Sequence, residues 1–281
     1  MTTPWTDQNV SDQFHAYDDY LENRLAYQPL IIDIRRINRR PLVVLDYGCG
    51  GGKVSRRLAR AGLGRVIGVD ISDQMIATAE AATADTAVTY RHISSARLPL
   101  ADQSVDVAVC CFVFINIPEK TELVRVAAEI HRVLKRGGRF YIVDTNPAST
   151  GIRFPTFLNG DPDVEYADGQ TRNVYLYLPD GDVLRLVDKH WTRQTYESVL
   201  TQAGFVDVDI TERAADIPDD SGSATRDRPP FIQLTATRPE ALPVPGRENT
   251  RTTDEPGWDP PGRGDHRRRH QRPPDPADST T

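Results

Sequence analysis

The sequence predicts an α/β fold: a seven-stranded, mostly parallel sheet with helices on both faces, an N-terminal helical lid and a β-hairpin cap. Three observations predict it. Between residues 42 and 144, short apolar runs alternate with stretches of helical period. The first apolar run ends directly in Gly48-Cys49-Gly50-Gly51-Gly52, and glycines allow a tight strand-to-helix turn. After Asp144 the alternation stops, and two apolar runs flank Pro179-Asp180-Gly181-Asp182, the signature of a hairpin.

Taken in order, Phe14, Tyr17, Leu21 and Leu25 recur at helical spacing behind Ser11, which is expected as the N-cap. Pro29 opens a second short helix carrying Leu30, Ile31, Ile34 and Ile37. Strands are expected from Leu42 to Asp46, Arg65 to Val69, Val88 to Ile93, Val105 to Cys111 and Arg139 to Asp144. Helices fill the gaps: Val54 to Ala61, one capped by Ser72 and running to Ala84, and one opened by Pro118 that ends at Gly137-Gly138. The hairpin pairs Val174–Leu178 with Val183–Val187. Thr192 caps a helix closed by Gly204, and Phe205–Ile210 and Phe231–Thr237 are the last strands. Residues 214–230 read as a polar loop. The domain reading is therefore 1–40 lid, 41–239 main domain with a cap insertion at 148–190, and 240–281 a tail that is too polar and proline-rich to order itself.

Of the 281 residues, 38% are hydrophobic and 26% charged, and the formal charge is −6. Such a chain has a globular body and lacks the positive field that gathers phosphates, so no nucleic-acid partner is expected. Three cysteines, two of them adjacent, make no disulfide framework. With no apolar run of about 18 residues, the expectation is a cytoplasmic protein that does not enter a membrane.

The glycine loop carries the chemistry. In open parallel sheets, ligands bind beyond the carboxyl ends of the strands. A dinucleotide fingerprint counted from Gly48 and Gly50 requires a third glycine where Lys53 stands. Asp46, two residues before the first glycine, would repel a pyrophosphate and attract an ammonium or sulfonium. Asp70 closes the second strand about 20 residues later, where an acid can accept ribose hydroxyls.

Four segments in this order, VVLDYGCGGGKVSRRL (43–58), VIGVDISDQMIATA (66–79), LPLADQSVDVAV (98–109) and LKRGGRFYIVDTNP (134–147), resemble the class I S-adenosylmethionine-dependent methyltransferases of Rossmann-like fold, in the branch acting on small molecules. The resemblance implies S-adenosyl-L-methionine as cofactor and a small metabolite as acceptor, at an O, N or C atom and in specialised metabolism. It implies that Asp46, Gly48, Cys49 and Gly50 surround the methionine portion with Gly52 close by. Asp70 would hold the ribose, with Ile71 and Met75 against adenine. Many relatives place an aspartate where Ser94 stands here, with Ser95 next, so the adenine contact would rest on a hydroxyl of Ser94 or Ser95 or on backbone. Cys110 would offer its carbonyl, and Tyr17 and Arg24 match the N-terminal tyrosine and arginine that relatives use. Arg24 suits the methionine carboxylate, because its fork of donors matches two oxygens.

No motif names a general base; His190 and Tyr20 are the candidates. Phe114 and Asn116 follow the fourth strand and Asn146 the fifth, so they are candidates to line the acceptor's cavity. Tyr175 and Tyr177, two apart in the hairpin, share one face and are expected to cap it. The stretch Cys110-Cys111-Phe112-Val113 lacks the Pro-Pro-aromatic run of amino-methylating DNA enzymes, and no metal-ligand spacing is present. Two other readings are a nicotinamide-dependent oxidoreductase, disfavoured by Lys53 and Asp46, and a protein that uses S-adenosylmethionine for non-methyl chemistry or regulation.

Overall fold

The central sheet runs in the order β3-β2-β1-β4-β5-β10-β9. These strands are β1 (Leu42–Tyr47), β2 (Gly64–Asp70), β3 (Val88–His92), β4 (Val105–Cys111), β5 (Leu134–Thr145), β9 (Val206–Glu212) and β10 (Phe231–Thr237). The first five are parallel. β10 is antiparallel to both β5 and β9. The computed structural model describes residues 2–5, 7–38, 40–212 and 228–240. The tail from residue 241 and most of the expected 214–230 loop lie outside them.

β4, buried at every position but Cys111, sits between β1 and β5. Its alternate side chains enter two apolar layers. Val107 and Val109 pack under the lid side, and Ala108 and Cys110 pack against α6 (Lys120–Val133) and α7 (Arg193–Gln202). The chain leaves β1 toward one edge and returns at β4. Helices α4 (Lys53–Arg60) and α5 (Asp73–Ala81) therefore start on one side of a crevice at the carboxyl ends of β1 and β4.

The lid begins differently from expectation. Asp7, not Ser11, caps α1 (Gln8–Ala16), accepting from the amides of Asn9 and Val10. The second lid helix is one continuous rod: α2 (Tyr20–Glu22), a π turn (Asn23–Tyr27) and α3 (Gln28–Arg35). Gln28 N–H donates to Asn23 O, five residues back. Pro29, which has no N–H to donate, follows at once, so the widened turn absorbs a missing donor. Leu21, Leu25, Leu30 and Ile34 on this rod are fully buried.

Two further boundaries are corrected. α6 ends at Val133, and Gly137-Gly138 lie inside a β5 that begins at Leu134. The cap is a three-stranded antiparallel sheet, because β6 (Phe157–Asn159) joins the expected hairpin of β7 (Gln170–Tyr177) and β8 (Val183–His190). Thr3 ties the N-terminus to this cap, exchanging hydrogen bonds with Val187 at 2.8–2.9 Å. No helix among the described residues is long and apolar enough to cross a membrane.

Candidate active site

A cavity of about 600 Å³ fills the crevice between the glycine loop, the lid and the cap, within the range of about 300–1,000 Å³ of small-molecule sites. One end is the glycine loop. Gly48 and Cys49 donate their amides to Val69 O at 2.8 and 3.0 Å, and Gly52 donates to Cys49 O at 2.9 Å. Gly50 N–H donates to Asp70 Oδ2 at 2.9 Å. These amides are turned into the protein, so they form no cradle for a pyrophosphate, which needs them pointing outward.

The loop also shows where a guest fits. At Gly48 (φ +71°) an added Cβ would stand 2.3 Å from Val113 Cγ2, whereas at Gly50 (φ +50°) it would meet nothing within 4 Å. Gly50 thus faces open cavity. Gly50→Ala is expected to leave the fold intact, at about 1 kcal/mol for the left-handed backbone. Its methyl group would enter the guest's space and weaken S-adenosylhomocysteine binding about tenfold or more by calorimetry; unchanged affinity would place the guest elsewhere.

Two carboxylates frame this end. Asp46, 1% exposed at the end of β1, accepts from Ser55 Oγ at 2.5 Å. Burial pushes it up to about 6, and Asp70 adds to the rise, so it is still an anion at neutral pH. Asp70 accepts from Ser72 N–H at 2.9 Å in addition to Gly50. Burial raises it too, and these amides hold it down.

Of the residues singled out from sequence, Tyr17, Asp46, Gly48, Cys49, Gly50, Asp70, Ile71, Met75, Ser95 and Asn116 line the cavity. The others lie outside that lining, for identifiable reasons. Gly52 is the N-cap residue before α4, where a Cβ would meet Tyr90 Oη at 2.4 Å. Arg24 and Tyr20 occupy the solvent face of the lid rod and bond one another at 2.9 Å. Ser94 is exposed beside Ser95. Cys110 points into the opposite layer, and Cys111 takes the cavity face. Phe114 packs on Tyr196 and Phe140. Asn146 is held by Pro229 O at 2.8 Å and caps its own turn.

His190 is 8% exposed, 3.2 Å from Thr150 Oγ1 and beside the Tyr166 ring. Burial, with Arg172 near, pushes it down to about 4, so it is neutral at physiological pH. In β7 the cavity face belongs to Val174 and Leu176. Tyr175 turns outward to Asp161 Oδ1 at 2.8 Å, and Tyr177 to Arg153 at 4.2 Å. The cap covers the pocket as expected, with its other face.

Sequence reasoning missed Glu22, Asp19, Phe112, Phe157 and Phe231, all in the lining. An acid in an amphipathic lid reads as solvent-facing, and the aromatics meet only through tertiary packing. Five buried carboxyls hold their protons more tightly in the fold than outside it, each through burial: Asp46 and Asp188 at about 6, Glu22 and Asp144 at about 7, and Asp70 raised in the same direction. Their stabilising contribution is lost as pH rises through those values. His190, and more weakly His131, act in the opposite sense. The acids outweigh them, so the ligand-free protein is expected to lose stability from about pH 4.5 to about pH 7; melting temperatures that climb over that interval would contradict this.

A methyltransferase-domain family profile matches residues 45–142. The chain is 38% identical over 168 residues to the N-demethylindolmycin N-methyltransferase of Streptomyces griseus, covering 59% of this chain and 70% of that one. It is 28% identical over 166 residues to the demethylmenaquinone methyltransferase of Chlorobaculum parvum, covering 58% and 65%. Among solved structures, an S-adenosylmethionine-dependent methyltransferase from Clostridium acetobutylicum shares the fold with a TM-score of 0.58 at 16% identity, covering 83% of this chain and all of that one.

Proposed function

The chain belongs to the class I S-adenosylmethionine-dependent methyltransferases, and from that premise we propose that it methylates a nitrogen atom of a small, largely apolar metabolite of specialised metabolism. The observation that carries this reading is the wall of the cavity beyond the glycine loop. Tyr27, Phe112, Phe157, Phe231, Val174 and Leu176 line it, which suits an aromatic acceptor and not a phosphorylated or polymeric one. The choice of nitrogen is supported by the 38% identical relative, whose name specifies N-methylation.

Bound at the loop, S-adenosylmethionine supplies an electrophilic methyl group on a sulfonium sulfur. In this reading Asp46 and the backbone of Gly48, Cys49 and Gly50 take its methionine portion, and Asp70 takes the ribose hydroxyls. Ile71 and Met75 enclose the adenine, with Ser95 at its edge, and Tyr17 meets the cofactor from the lid. The fit rests on the open space at Gly50 and on the anionic pair, which favours a cation and opposes a diphosphate. The lid (1–40) and the cap insertion (148–190) close over both partners. Their task is alignment and exclusion of water: holding reactants in a near-attack geometry supplies about 7–11 kcal/mol.

Incubation with methyl-deuterated S-adenosylmethionine and a panel of aromatic amines, phenols and quinols tests the reading. The label is expected on nitrogen, read by mass spectrometry; label on carbon or oxygen alone would overturn the choice of acceptor atom.

A further inference from the structure

Glu22 stands on the lid rod one residue before its π turn and lines the cavity at 7% exposure. One carboxylate oxygen is engaged: Oε1 accepts from Tyr17 Oη–H at 2.6 Å, and that hydroxyl lies 3.0 Å from Thr156 Oγ1. The other, Oε2, is buried and has no hydrogen-bond partner among the described residues. Asp19, in the same wall, repeats the pattern. Its Oδ1 accepts from Arg57 at 3.0 Å, and its Oδ2 is buried with no hydrogen-bond partner among the described residues. A buried acceptor left unsatisfied costs about 1–3 kcal/mol, and a carboxylate oxygen is the most demanding kind.

The cations nearby do not meet this demand. Lys53 Nζ donates to Tyr17 O at 3.0 Å, and Arg57 pairs with Asp19 and lies over the Tyr27 ring. Tyr27 faces Glu22, Phe112 packs edge-on against Tyr27 at 6.1 Å between ring centroids, and Phe157 belongs to the same cavity wall. A guest that satisfies this corner must bring an N–H donor, carry positive charge or be able to, and be otherwise apolar and aromatic. We propose that Glu22 is the anchor of an amine subsite, its Oε2 accepting from an amino or ammonium group of the methyl acceptor while Tyr17 holds Oε1 in place.

This deepens the reading of the cavity as a methyl-transfer site and rests on it. It gives the acceptor a class, an aryl-alkyl amine, and makes Glu22 a specificity-determining residue. The groups that face Glu22 are Tyr17, Asp19, Lys53 and Tyr27, with Arg57 and Cys111 behind Tyr27. Burial holds its carboxyl up to about 7, so the anchor gains its charge close to neutral pH.

Calorimetry on the full chain saturated with S-adenosylhomocysteine tests the subsite, with tryptamine, the neutral isostere 3-propylindole and the anion indole-3-propionate as probes. Tryptamine is expected to bind about tenfold or more tighter than either of the others. Glu22→Gln is expected to abolish that preference while leaving S-adenosylhomocysteine affinity as in the wild type. Equal binding of the three probes by the wild type, or a preference that survives Glu22→Gln, would overturn the proposal. Failure of the wild type to bind S-adenosylhomocysteine would overturn instead the reading beneath it. If Glu22→Gln does not fold, the wild type decides alone. Tryptamine stays cationic from about pH 5.5 to about pH 8.5, and its affinity is expected to rise across that range; a flat profile contradicts the anchor.

Discussion

Replacing Asp70 with alanine is expected to weaken S-adenosylmethionine binding about a hundredfold, a change of about 3 kcal/mol. Two losses combine. Asp70 is 9% exposed in the lining of the cavity, and in the proposed binding mode its carboxylate accepts the ribose hydroxyls; charge-assisted hydrogen bonds are worth about 1.5–3 kcal/mol. The same carboxylate also ties Gly50 N–H and Ser72 N–H at 2.9 Å each. Without it, the turn that carries Gly48 and Gly50 loses its tether to β2 and is no longer preorganised. Asp70→Asn keeps the shape and one acceptor and is expected to fall between. Isothermal titration of both variants measures this; a loss of less than about threefold for Asp70→Ala would remove Asp70 from the site.

The second large effect concerns stability. Arg172 and Asp188, 1% and 4% exposed at the side chain, form a buried pair across β7 and β8. Arg172 donates to Asp188 Oδ1 at 2.6 Å and Oδ2 at 3.2 Å, and further to Thr145 Oγ1 at 2.6 Å and Thr150 Oγ1 at 2.8 Å. One guanidinium thus joins the cap sheet to the end of β5. Arg172→Ala leaves a buried carboxylate and two hydroxyls without their partner, and is expected to destabilise the fold by about 3–5 kcal/mol. Replacing both members, Arg172→Met with Asp188→Leu, is expected to recover most of that loss, because the desolvated charges go together. Denaturant unfolding gives both numbers. A single-variant loss below about 1 kcal/mol would mean that the cap is docked by its apolar face alone.

What was legible in the sequence was local. Val105–Cys111 and Phe231–Thr237 form the strands that their closely spaced apolar and β-branched residues announce. The glycine turn and Asp70 announce the crevice because backbone conformation and strand-end position are written in a few consecutive residues. What was not legible depends on pairing at a distance. β6 is three residues in a stretch rich in glycine and proline, and only its partner β7 makes it a strand. The period of two shows that Tyr175 and Tyr177 share a face but not which face turns inward; the buried Arg172 on the opposite side decides it. Glu22 is the clearest case: only the fold places Tyr17 beside one of its oxygens and leaves the other open.

The central claim is that the crevice between β1 and β4 receives an adenosyl amino acid through an anionic pair and an open glycine turn. A crystal structure with S-adenosylhomocysteine tests it most directly. The ribose is expected on Asp70, the adenine between Ile71 and Met75 and the amino-acid end against Asp46 and Gly50. A molecule bound elsewhere on the chain, or density at saturating concentration that avoids this crevice, would contradict it.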